Sequence, residues 1–232
     1  MLGNPQPSSL DVRFVLFGIP ISISPIFWFM AAILAFLWTE TKDGFDMPAF
    51  LAVILAVLLS ILVHELGHAL VIRYIFGALP VVVLHGLGGV TMHDRPYYYR
   101  TPQRWGRIFI SFAGPLAGFL LSAVGYFSLY YFDSIIERGS YLALFLFYVF
   151  VIGIFWGVLN LMPVYPLDGG QIFREICEMV SPRKGTQASL VVSAVVAILI
   201  AMLALMRREH FLVLLFAVLA YQSIQTLQSR RF

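Results

Sequence analysis

The sequence is short of charge. Only 12% of its 232 residues are Asp, Glu, Lys or Arg, where a water-soluble domain carries about 25%. That shortage excludes a soluble globular enzyme. Cysteine is nearly absent: Cys177 stands alone, so no intrachain disulfide can form and a disulfide-held scaffold is excluded. A solitary Cys of this kind reads as a packing or surface residue. There is no internal repeat and no low-complexity tract. The polar start MLGNPQPSSLDVR lacks the short apolar stretch and small-residue cleavage site of a signal peptide. The net charge of +3 is small and its basic residues lie between apolar runs. No nucleic acid is therefore expected as a partner.

What is abundant is apolar. Hydrophobic residues make up 60% of the chain, with 21 Phe and 11 Tyr, and the mean hydropathy is +0.89. Six apolar segments stand at 22–39, 48–72, 107–131, 141–162, 187–206 and 211–227. A spanning helix needs about 20 apolar residues, and only the last segment is short for the task. Breakers separate the segments: TKDGFDMP, DRPYYYRTPQR, DSIIERGS, SPRKGTQ and MRREH. The pattern predicts an all-α polytopic membrane protein with about six transmembrane helices, forming a single membrane-embedded domain over residues 1–232 in a lipid bilayer.

The basic residues orient it. With the N-terminus cytoplasmic, Arg13, Arg73, Arg95, Arg100, Arg104, Arg107, Arg174, Arg183, Lys184, Arg230 and Arg231 fall on the cytoplasmic side. Lys42, Arg138, Arg207 and Arg208 fall on the other. This bias is the one the positive-inside rule favours. It places both termini in the cytoplasm. The connection GALPVVVLHGLGGVTMHDR, 77–95, has a β-branched run followed by Gly-rich turns. It predicts a small membrane-associated β-hairpin after the second span.

The second span contains HELGH, His64 to His68. Ionisable groups at membrane depth are expensive and mark function. His at i and i+4 lie about 40° apart on one helix face, so two imidazoles can converge on one Zn²⁺. Glu65 can then act as general base on a water at the open coordination position. A catalytic zinc takes three protein ligands. The extended motif H-E-x-x-H-x-x-G-x-x-H fails here, because Val71 and Tyr74 stand where Gly and His belong. His85, His93 and Asp94 are near in sequence but read as polar residues at a membrane surface. Asp168, in NLMPVYPLDGGQ, is the better third ligand. It follows the fourth span, which runs in the same direction as the second, so the two sites share a depth near the cytoplasmic side. Pro163 and Pro166 should unwind the helix end, and Gly169 and Gly170 should free the backbone. Asn160 could donate to a substrate carbonyl or bond a neighbouring helix. The small residues of SFAGPLAGF, 111–119, allow close helix packing and would support the site rather than perform chemistry.

Together, HELGH, AGPLAGF and NLMPVYPLDGG resemble the site-2 protease family of intramembrane zinc metalloproteases. The last matches its N-x-x-P-x-x-x-x-D-G pattern from Asn160 to Gly169. The resemblance covers a catalytic core of about 49–171, with 22–39, 187–206 and 211–227 as flanking helices. It implies one Zn²⁺ per chain held by His64, His68 and Asp168, Glu65 as catalytic base, and Asn160 near the substrate. It implies a β element that aligns substrate by strand addition, and cleavage of single-span membrane protein substrates in regulated intramembrane proteolysis. A regulatory membrane partner and a bacterial inner-membrane location also belong to that expectation. Gly118 departs from the pattern, since many relatives carry Asn there. The sequence leaves no room for a PDZ or CBS domain, so a minimal member is expected. The rival readings are an ion-binding membrane transporter and an inactive client-binding relative. Glu65 discriminates the transporter, since hydrolysis needs a base there and a metal carrier does not. The intact set of His64, Glu65, His68 and Asp168 argues against the inactive relative.

Overall fold

The motif-bearing segment folds as one long helix, α2, Met47–Tyr74. Asp46 caps it by accepting from the Ala49 amide at 3.1 Å, and Pro48 sits in the first turn, where its missing N–H costs nothing. Arg73 lies in the last turn, and Gly77, at φ +72°, lets the chain leave toward the hairpin. The computed structural model describes residues 8–41, 44–86, 88–94, 102–132, 136–137 and 139–229. Of the orienting charges, Lys42, Arg95, Arg100, Arg138, Arg230 and Arg231 lie outside the described residues.

The chain enters as a hairpin, β1 (Val12–Leu16) and β2 (Ile19–Ile23), followed by α1 (Pro25–Thr39). After a short pair, β3 (Glu40–Thr41) and β4 (Gly44–Phe45), and α2, come β5 (Leu79–His85) and β6 (Gly88–Asp94). Then follow α3 (Arg104–Tyr131), α4 (Tyr141–Asn160), α5 (Asp168–Val180), α6 (Gly185–Met206) and α7 (His210–Ser229). Among the described residues, α2, α3, α4, α6 and α7 are long and apolar enough to cross a membrane. The expected first segment, 22–39, is divided differently. Its start ends β2, and the helix that remains has 15 residues, about 22 Å of rise against a hydrocarbon core of about 30 Å. Ile19, Ile21 and Ile23 alternate with Pro20 and Ser22, a period of two that an apolar window does not separate from a helix. The last segment, by contrast, extends to a 20-residue helix.

The structure clusters into two compact units, Leu2–Thr101 with Ala113–Gly157, and Pro102–Phe112 with Val158–Phe232. In the first, a four-stranded sheet has the order β1-β2-β5-β6. The hairpin expected at 77–95 forms as β5 and β6, and it joins an N-terminal hairpin through a parallel β2–β5 pairing. Ile19, Ile21 and Ile23 with Val82 and Leu84 form one buried sheet face. It packs with Phe27 and Ala31 of α1, Val53, Ala56 and Ile61 of α2, and Val149 and Ile152 of α4. Gly67 removes the Cβ that would collide with the Ala113 carbonyl of α3, so these two helices meet backbone to backbone, as small residues permit in lipid.

In the second unit, Leu159, Val164, Ala197, Phe216, Leu219 and Ala220 form the core. The 161–167 loop is tied down by polar contacts. The Tyr165 amide donates to Ser193 Oγ at 2.6 Å, and Ser193 and Ser223 hydroxyls pair at 2.8 Å. The start of α3 is fixed to α5 by ion pairs. Arg107 binds Glu175 through two contacts of 2.7 Å, and Arg104 reaches Glu178 at 3.1 Å.

Candidate metal centre and catalytic base

His64, Glu65 and His68 are all buried, at 3%, 5% and 7% exposure. Helical geometry alone brings the two imidazoles onto one face, and the packing decides how they meet. Their rings are near perpendicular, at 81°, with the two Nε2 atoms 3.3 Å apart. Zinc binds imidazole nitrogen at about 2.0–2.1 Å in a tetrahedral arrangement, which sets two such ligands about 3.3 Å apart. The pair therefore has the edge length of a tetrahedral zinc site, and the residues fit the ion.

Gly114 of α3 makes that placement possible. A Cβ there would occupy the space of the His68 ring. The AGPLAGF segment thus does more than let helices approach: its first Gly forms the wall against which the His68 ring lies.

Glu65 is held from the opposite side, by β6. Its Oε2 accepts from Thr91 Oγ1 at 2.8 Å, and its side chain lies where a Cβ on Gly89 would be. Gly89 and Thr91 are two residues apart on one strand, so they share a face of the sheet. That is the face of Leu84 and Val82, their register partners. Reading the sequence missed both residues. The period-two spacing in GGVT was the available signal, but nothing local says which helix that face meets.

The other predicted residues are placed as follows. Asn160 is the last residue of α4 and is buried at 8% exposure. Asp168 is the first residue of α5, where the positive end of the helix dipole favours a carboxylate. The expectation that Gly169 and Gly170 loosen the backbone is replaced by another role. Both are helical and buried, and a Cβ on either would strike the backbone of the preceding loop at Leu161 or Val164. They let α5 start directly beneath that loop. His85 turns to Ser24, with Nδ1 and Oγ 3.2 Å apart, and His93 pairs in register with Pro80. Among the described residues neither belongs to a set of three metal-capable side chains. The side chain of Asp94 lies outside the described residues.

The model of Peptidase family M50 matches residues 52–143 and 133–204. The chain belongs to this family. Among its relatives, a zinc metalloprotease of Methanocaldococcus jannaschii is 30% identical over 175 residues, covering 73% of this chain and 42% of the relative. The chain thus spans less than half the length of that M50 relative. The solved structure of the Site-2 Protease from Methanocaldococcus jannaschii shares the fold, with a TM-score of 0.63 and 24% identity over 94% of this chain and 95% of that one. The site-2 protease resemblance carried by the motifs is borne out by these matches. With five apolar helices of spanning length, this M50 member is a multi-pass membrane protein.

Proposed function

We propose that the chain is a zinc-dependent membrane endopeptidase. Its substrates are single-span membrane proteins, cut within or near their transmembrane segments. The observation that carries this reading is the His64–His68 pair at tetrahedral spacing beside a buried Glu65. Family membership and the zinc metalloprotease relative support it.

His64 and His68 would hold one Zn²⁺ together with Asp168. When bound, zinc supplies a Lewis acid at the reacting carbonyl. Glu65 takes the proton of the attacking water and returns it to the leaving amine. Asn160 offers its side-chain amide to the carbonyl oxygen as negative charge develops there. A peptide bond in a helix is covered by its own hydrogen bonds, so the substrate must unwind locally. An unwound segment is an unpaired strand, and β6 ends the described sheet with Glu65 against it. Addition of that segment to the edge of β6 would align it beside the base. Entry of water would come from the cytoplasmic side, where both termini also lie in this proposal.

The test uses purified protein in detergent with fluorescein-labelled casein as an unfolded probe. Cleavage that is removed by a chelator, restored by zinc and absent in Glu65→Gln supports the reading. Equal cleavage by Glu65→Gln overturns it. Natural clients would be sought by co-purification with the Glu65→Gln form.

A further inference from the structure

We infer that Thr91 is a positioning residue for the general base: its hydroxyl, with the backbone at Gly89, fixes the Glu65 carboxylate on the inner face of β6. This rests on the protease reading above and adds to it the group that orients the base.

Glu65 sits on a helix that gives it three rotatable side-chain bonds, and a carboxylate free to turn would spend little time at the reacting water. Two features of β6 remove that freedom. Thr91 Oγ1 donates to Oε2 at 2.8 Å, and the same hydroxyl lies 3.2 Å from the Glu65 carbonyl oxygen. The hydroxyl thus spans both ends of one residue, backbone and carboxylate, and ties strand to helix at that residue. Gly89, one pleat repeat earlier, leaves the Glu65 side chain in direct contact with strand backbone. Glu65 is 5% exposed, so solvent offers Oε2 little replacement for the Thr91 donor. At 2.8 Å the contact has the usual length of an O–H···O hydrogen bond.

The arrangement also couples base to substrate. A strand that adds to β6 would bond the same backbone that carries Thr91 and Gly89. Its register would then be transmitted to Glu65 by one hydroxyl rather than through the body of the protein.

Three variants test this with labelled casein as probe, in the zinc-loaded full chain in detergent. Thr91→Val keeps the shape and loses the donor. Its kcat should fall about 10- to 100-fold with KM within about threefold. Thr91→Ser restores the hydroxyl, and kcat should return to within about threefold of the parent. Gly89→Ala pushes on the carboxylate and should lower kcat with the donor still present. Zinc content, read by elemental analysis, should match the parent in all three. The assignment is overturned if Thr91→Val keeps its kcat, if Thr91→Ser is as slow as Thr91→Val, or if zinc falls in step with kcat. A parent protein that leaves casein intact overturns the protease reading itself, and this one with it.

Discussion

At the scale of single residues, the chemistry concentrates in few atoms. In the proposed zinc site, either imidazole of the 3.3 Å pair would be half of what α2 brings to the ion. His64→Ala and His68→Ala should therefore each reduce bound zinc to background, read by elemental analysis of purified protein. Glu65→Gln preserves volume and leaves both imidazoles in place. Zinc content should stay at the parent level while cleavage falls by about 10²–10⁴-fold, the usual contribution of a general base. Asp168→Ala should lower zinc affinity. Zinc retained at full stoichiometry in that variant would move the third ligand elsewhere. His64, Glu65 and His68 were candidates from the sequence alone because an i, i+4 spacing puts two side chains on one face of any helix, independent of the rest of the fold. Thr91 was not legible, because its partner lies 26 positions away.

At the scale of elements, backbone contact decides more than side-chain chemistry. Gly114 and Gly67 are placed where a Cβ would meet the His68 ring and the Ala113 carbonyl. Gly114→Val should displace that ring and reduce zinc retention at least tenfold, measured by competition with a chelator. Helix α5 is set by its ion pairs. Asp168 and Glu175 are seven residues apart, two turns, and share one face of the helix. The doubly bonded Arg107–Glu175 pair therefore fixes the rotation of α5 and with it the direction of Asp168 within its own unit. Glu175 is 4% exposed, and removing Arg107 leaves its buried carboxylate only the longer Arg174 contact at 3.9 Å. Arg107→Ala should destabilise by about 1–3 kcal/mol, seen in detergent unfolding. Arg107→Lys should recover only part of this, since lysine cannot bond in the same planar, two-contact way.

At the scale of the whole molecule, the charges around Glu178 should give stability a pH dependence. Burial pushes the Glu178 carboxyl upward, but the Thr186 hydroxyl and the Arg174 and Arg104 charges outweigh it and hold its pKa below the usual range. A carboxyl depressed on folding contributes stability that is present above its unfolded pKa, about 4.3, and disappears as pH falls through the folded value. The thermal midpoint in detergent should drop as pH is lowered from about 5, and Glu178→Gln should reduce that slope. A slope unchanged in the variant would assign it to other groups.

The sequence by itself determined what period and composition can carry. A charge content of 12% requires lipid around most of the chain, and the apolar runs marked every spanning helix. The β-branched run and glycines marked β5 and β6. The i, i+4 histidines marked a candidate metal site, whereas the helix that starts at Asp168 was not expected from Pro166, Gly169 and Gly170. Tertiary structure alone decided that residues 19–23 form a strand rather than the head of a helix. Their alternation matters only once β5 lies beside them to accept their hydrogen bonds. It also decided that Gly89 and Thr91 meet Glu65, and that Gly114 makes room for the His68 ring. Contacts between distant segments depend on which faces pack together, and no local spacing encodes that choice.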